Sequence, residues 1–289
     1  MSFDIRESFL IFIRGVLMGS ADIVPGVSGG TIALITGIYA HLVESISKIK
    51  FGFIKPLFKG DFRGFWNQML DEIDFKFFIP LVLGIGVAFL TLAKVVTYCM
   101  DVHTALTYSF FLGLIVASAV ILFRKLNEFN IKTVIFAVIG AILTFIFVSL
   151  NPIAANHSLI IIFISGMIAI CAMILPGISG SFLLLLLGQY EYMLNALHQL
   201  HFAEIITFVV GALIGILGFS RILNFLLKNH KEVTMAFLIG VMLGSLRVPA
   251  VEIVHSVSVN FSGLLPCLIV AIIAFVLIII LETRFDYID

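Results

Sequence analysis

The phrase Pro-Gly-x-Ser-Gly is written twice in this chain. Pro25-Gly26-Val27-Ser28-Gly29 and Pro176-Gly177-Ile178-Ser179-Gly180 lie 151 residues apart, each inside a long apolar stretch. Such a run cannot continue an α-helix, because proline lacks the N–H and glycine loses the most backbone entropy on ordering. The surrounding chain is 61% hydrophobic and only 12% charged over 289 residues, the composition of a polytopic helical membrane protein. Lipid offers no hydrogen-bond partner, so a broken backbone at membrane depth survives only where protein or a water-filled cavity covers it. Two breaks at corresponding places in two halves point to the binding site of a transporter.

The correspondence extends beyond the phrase. Gly15, Pro25, Gly26, Ser28, Gly29, Gly37 and Tyr39 align with Gly166, Pro176, Gly177, Ser179, Gly180, Gly188 and Tyr190 at an offset of 151. A second block, Gly84, Lys94, His103, Gly113 and Ser118, aligns with Gly211, Arg221, His230, Gly240 and Ser245 at an offset of 127. The 24-residue difference between the offsets fits extra sequence in the first half, between about 47 and 76. The chain is therefore read as two repeats, 1–150 and 151–289. Each has a broken apolar segment (9–43; 159–193) and three unbroken ones (77–98, 105–123 and 133–150; 204–227, 233–250 and 263–282).

The unbroken segments have the length needed for about 30 Å of hydrocarbon. The broken ones, too long for one crossing and too short for two, suit re-entrant helical hairpins. If both hairpins return to the side they enter, fourteen of the 17 basic residues fall on one side, which the positive-inside rule makes cytoplasmic. The expected fold is all-α and integral to the plasma (cell) membrane. It has two inverted repeats, each a hairpin plus three transmembrane helices, with both termini cytoplasmic. No basic n-region with a cleavage site opens the chain, so no cleaved signal peptide is expected. Segment 51–76 places Phe62, Phe65, Trp66, Met69, Leu70 and Ile73 at helical spacing among charged residues, as in an amphipathic helix on the cytoplasmic interface. Tyr39 and Tyr190 are expected as interfacial anchors. Cys99, Cys171 and Cys267 are scattered and odd in number, which suggests neither a disulfide framework nor a metal site.

After each break a new helix starts at Ser28-Gly29-Gly30-Thr31 or Ser179-Gly180-Ser181. The first amides of a helix lack intrahelical partners, and the dipole favours an anion there. Inverted symmetry would bring the two tips together near the midplane. Glycines would let a phosphate approach, and the Ser28, Thr31, Ser179 and Ser181 hydroxyls could donate to it. The competing reading is that the glycines only permit close helix packing. Arg14, Lys94 and Arg221 are cations within or near spans, where charge faces a cavity, finds a partner or snorkels. Asp22 is the acid placed deepest, a candidate for coupling or for a structural cap; Met173 stands at its place in the second repeat. Glu191 sits at the outer end of the second hairpin.

The two motifs, Ala21-Asp22-Ile23-Val24-Pro25-Gly26-Val27-Ser28-Gly29-Gly30-Thr31 with Gly37-Ile38-Tyr39, and Met173-Ile174-Leu175-Pro176-Gly177-Ile178-Ser179-Gly180-Ser181 with Gly188-Gln189-Tyr190-Glu191, resemble the signature of the polyprenyl-phosphate transporter family. That family includes undecaprenyl-phosphate translocases. Where its pattern carries a charged pair after Tyr39, this chain has Ala40-His41. The resemblance covers nearly the whole chain. It implies a flippase that returns a polyprenyl monophosphate from the outer to the inner leaflet for reuse in cell-envelope synthesis. The implied partners are that lipid and the membrane, with room for a homo-oligomer, no nucleic acid, and no cofactor or metal. A membrane polyprenyl-diphosphate phosphatase is the enzymatic rival, but it would need the arginine whose place Gly29 and Gly180 take and a pair of glutamates four apart, which this chain lacks. A carrier for a small soluble anion is the third reading.

Overall fold

The computed structural model describes residues 5–24, 27–126, 130–150, 156–257 and 261–285. Pro25 and Gly26 of the first motif lie outside the described residues. Among the described residues the chain forms sixteen helices and no strand. The first half contains α1 (Ile5–Asp22), α2 (Gly29–Ile35), α3 (Tyr39–Lys48), α4 (Ile54–Phe58), α5 (Phe62–Glu72), α6 (Phe75–Thr91), α7 (Ala93–Val102), α8 (Thr104–Arg124) and α9 (Ile131–Phe147). The second contains α10 (Leu159–Ile174), α11 (Gly180–Leu186), α12 (Tyr190–His198), α13 (Phe202–Asn229), α14 (Lys231–Ser245), α15 (Arg247–Ser256) and α16 (Phe261–Phe285).

Several starts follow directly from capping chemistry. Asp61 accepts from the Gly64 amide at the start of α5, Asp74 from Phe77 at the start of α6, and Asn130 and Thr133 form a reciprocal capping box on α9. Thr104–Arg124, Phe202–Asn229, Lys231–Ser256 and Gly263–Ile280 are each long and apolar enough to cross a membrane. The segments read as 77–98 and 133–150 are shorter here: α6 and α9 each have 17 residues. The helix read through 233–250 is interrupted at Leu246, because Pro249 cannot donate to the Ser245 carbonyl one turn earlier. The segment read through 77–98 is interrupted at Leu92.

Each hairpin has a second break that the motifs did not announce. The returning arm was read as continuous to 43 and 193. It stops instead after seven residues, at Gly37 and Gly188, whose φ values of 80° and 65° are left-handed. This is the usual way a helix ends, since glycine enters that region without a Cβ penalty. Beyond Gly37, α3 turns off at 115° to α2 and runs back along α13. The turn carries Tyr39 into the core, with 2% exposure, rather than to the interface; Tyr190, at the matching place, is 37% exposed.

Four close helix pairs hold the bundle: α1 with α6, α10 with α13, α8 with α16, and α9 with α14. Three of the glycine pairs that align between the halves sit at these crossings. A Cβ on Gly15 or Gly84 would strike the Leu81 or Phe12 carbonyl across the α1–α6 contact, and one on Gly166 or Gly211 the Phe208 or Phe163 carbonyl across α10–α13. Gly113 faces Ala271 and Gly240 faces Ala137 in the same way. Close approach gains dispersion contact where no hydrophobic effect drives helix association. A Cβ on Gly218, by contrast, meets nothing within 4 Å. Gly240→Val is therefore expected to lose about 1–3 kcal/mol or more through overpacking against backbone. Gly218→Ala should hold or gain up to about 1 kcal/mol of helix propensity. Melting temperatures of the two purified variants in detergent check the contrast.

Candidate functional site

The first hairpin tip is a closed, internally satisfied structure. Ser28 caps α2: its Oγ accepts from the Gly30 amide at 3.1 Å and donates to the Leu175 carbonyl of the second hairpin at 3.0 Å. The Gly29 amide donates to Asp22 Oδ1 at 2.6 Å, so the acid at the end of α1 reaches across the break and holds the start of α2. Gly29 has to be glycine for this: a Cβ there would lie 2.5 Å from Asp22 Oδ2. Thr31 Oγ1 accepts from the Gly177 amide at 2.9 Å, and Gly177 itself has φ 85°. Ser28, Gly29, Gly30 and Thr31 are all buried. The two tips were expected to face each other across the headgroup. They touch instead, and the first tip's leading amides and hydroxyls are spent on capping and on the second tip.

The second tip is open. Ser179 precedes α11 but makes no capping bond to its backbone; its Oγ lies 2.8 Å from Ser181 Oγ. Ser179, Gly180 and Ser181 line a cleft of about 470 Å³ together with Asp22 and Ile23 from the end of α1. Its walls are apolar: Phe89 and Ala93 from α6 and α7, Ile170 and Met173 from α10, Leu185 from α11 and Phe208 from α13, with Tyr190 at the start of α12. The cleft therefore lies between the α6–α7 arm and the α11–α12 arm. A few polar groups converge at one end of an otherwise apolar space, the usual form of a small-ligand site.

The three cations stand outside the cleft lining. Arg14 is buried on α1, two turns before Asp22. Lys94 is exposed on α7, next to the cleft residue Ala93. Arg221 is exposed on α13 and donates to the Ile49 carbonyl at 2.9 Å. Glu191 is exposed beside Tyr190 on α12. His41, in the place of the expected charged pair, meets Asp74 at 3.0 Å. Sequence reasoning did not anticipate Phe89, Ala93 and Tyr190 as cleft residues, nor the bonding of Asn224 to Ser47 (2.9 Å) and Lys228 to Glu44 (2.9 Å) next to Arg221. No local pattern marks them, because each contact joins segments far apart in the chain.

An all-helical bundle with several apolar spans, its broken helices meeting in the interior beside an internal cleft, defines a multi-pass membrane protein. Comparison with known sequences gives the family. Residues 18–265 match the sequence model described as undecaprenyl phosphate translocase-like, and the chain belongs to that family. A protein of Vibrio cholerae serotype O1 named polyprenyl-phosphate transporter is 41% identical over 235 residues, covering 81% of this chain and 75% of the relative. One of Staphylococcus aureus with the same name is 33% identical over 252 residues, covering 81% of this chain and 83% of the relative. No solved structure matches the chain.

Proposed function

We propose that this protein flips a polyprenyl monophosphate of the undecaprenyl type from the outer to the inner leaflet, and that its two halves are inverted repeats. The cleft carries the reading. Its Ser179–Ser181 end offers two hydroxyls and the uncapped start of α11, while its apolar walls suit the first units of a prenyl chain whose remainder stays in lipid. Lys94 is the cation nearest the mouth and meets the headgroup first. Arg14 is a later cationic step on α1. Arg221 and Glu191 act at the edges of the path and not on the phosphate itself.

A two-fold relation between the halves is supported by the pairing of helices, and the odd number of spans read in each half makes that relation an inversion. The second spans of each half, α8 and α14, pack against the third spans of the other half, α16 and α9, as a two-fold relation between repeats requires. Asp22 shares the cleft with an incoming anion. Two like charges between apolar walls repel strongly, so the headgroup is admitted together with a proton, and Asp22 is the coupling acid.

The test is leaflet exchange of labelled polyprenyl phosphate in proteoliposomes, with and without a pH gradient. Ser179→Ala with Ser181→Ala should slow exchange by roughly 100-fold or more, since each hydrogen bond to a charged group contributes about 1.5–3 kcal/mol and the double variant removes two. Exchange at the wild-type rate in the double variant would reject this headgroup site. Competition by a short soluble phosphate as strong as by the lipid would favour the small-anion carrier. Release of inorganic phosphate from the polyprenyl diphosphate would favour the hydrolase.

A further inference from the structure

The two halves align residue by residue, but they do not make the same contacts. On α13, Arg221, Asn224 and Lys228 are spaced i, i+3 and i+7, so they lie along one face. That face packs on α3, where Arg221 Nη2 donates to the Ile49 carbonyl, Asn224 Nδ2 to Ser47 Oγ and Lys228 Nζ to Glu44 Oε1, each at 2.9 Å. The guanidinium sits at the C-terminal end of α3, where the dipole favours a cation.

At the offset of 127, these three become Lys94, Thr97 and Asp101 on α7; at the offset of 151, the three α3 residues become Asn195, His198 and Leu200 on and just after α12. The mirrored set is chemically matched as well. Lys94 suits the carbonyl of Leu200 at the end of α12, Thr97 suits His198, and Asp101 suits Asn195. None of these pairs is made. All six residues are exposed, and α12 makes no packing against α7 comparable to that of α3 on α13. Ala93 at the start of α7 and Tyr190 at the start of α12 both line the cleft, so the unpaired α7 and α12 faces flank it. On the latched side the residues matching the cleft lining are shut in: Gly29, Gly30, Thr31, Leu34 and Tyr39 are all buried.

We infer that Arg221, Asn224 and Lys228 are positioning residues that latch the basic-rich end of the protein shut, and that Lys94, Thr97 and Asp101 form the counterpart latch, which engages α12 when the cleft closes. The two latches are mutually exclusive, and their exchange carries the headgroup from one side to the other. The inference rests on the duplication and the transport reading above. A ligand shifts such an equilibrium only by binding one arrangement better than the other, which the open cleft provides.

The experiment uses full-length protein with Cys99, Cys171 and Cys267 replaced by alanine. Ser47→Cys with Asn224→Cys should cross-link under mild oxidation and abolish exchange of labelled polyprenyl phosphate in proteoliposomes, with recovery on reduction. Thr97→Cys with His198→Cys should cross-link weakly, and more strongly once Arg221→Ala and Lys228→Ala cut the first latch. If the first pair does not insert, Lys228→Glu tests the same seam: it should raise Thr97–His198 cross-linking, and Glu44→Lys should reverse the rise. Exchange at full rate in the cross-linked Ser47–Asn224 protein overturns the inference. So does Thr97–His198 cross-linking that ignores the state of the first latch. Mutually exclusive cross-links in a protein that moves no lipid phosphate would support the latches and reject the substrate.

Discussion

Asp22→Asn should leave the protein folded and largely stop it working, whereas Asp22→Ala should damage both. Asp22 Oδ1 holds the Gly29 amide at 2.6 Å across the hairpin break, and the same carboxyl lines the cleft beside Ser179–Ser181. Asparagine keeps a carbonyl oxygen for the Gly29 amide, so the cap survives; it cannot accept or release a proton. Alanine removes the acceptor and leaves a buried amide unpaired, at about 1–3 kcal/mol. The expected order of melting temperatures in detergent is wild type near Asp22→Asn, with Asp22→Ala several degrees lower. Leaflet exchange should fall at least about tenfold in both variants, a loss of about 1.4 kcal/mol or more in the rate-limiting step. The residual exchange of Asp22→Asn should no longer respond to a pH gradient. Full exchange with an unchanged pH response in Asp22→Asn would leave Asp22 as a cap and nothing more.

Asp22 also shows what a single sequence reveals. Its place at the hairpin break was legible, because it stands three residues before the proline of the first motif; that it holds the Gly29 amide was one of the two roles open to it. The aligned glycines were legible too, since close helix approach demands a missing side chain wherever it occurs. Which of their two readings applied was decided by packing. Gly15, Gly84, Gly113 and Gly240 are crossing points of helices, whereas Gly180 does both: a Cβ there would strike Met173 and the Ala169 carbonyl of α10, and the residue also lines the cleft. The second break at Gly37 and Gly188 was visible as an aligned pair but not as a turn, because a lone glycine in an apolar run fits a packed helix equally well. Arg221 was the hardest to place. Its partner, the Ile49 carbonyl, is 172 residues away, and a backbone acceptor leaves no trace in residue identity. The difference between the two tips was hidden for a related reason. Ser28 and Ser179 are equivalent in sequence, and only the surroundings make one a cap and the other a cleft residue.

Thr31→Val should be the most damaging near-isosteric change in the hairpins. Thr31 is fully buried, and its Oγ1 accepts from the Gly177 amide across the contact between the tips. Valine fills the same volume and withdraws the acceptor. The Gly177 amide then has no partner at a place where a Cβ on Gly177 would already crowd Met242 and Ser245 Oγ, so the backbone has little room to turn towards another. An unsatisfied buried donor costs about 1–3 kcal/mol, more than the net worth of the bond itself. Thr31→Ser keeps the acceptor and loses one methyl group, about 1 kcal/mol. The stability order expected from thermal unfolding is wild type, then Thr31→Ser, then Thr31→Val. Exchange should follow the same order, because the tip contact fixes the second hairpin, and with it Ser179–Ser181, against the end of α1. If Thr31→Val unfolded like wild type, the tips would be held by packing and by the Ser28–Leu175 bond, and the Thr31–Gly177 bond would not position the site.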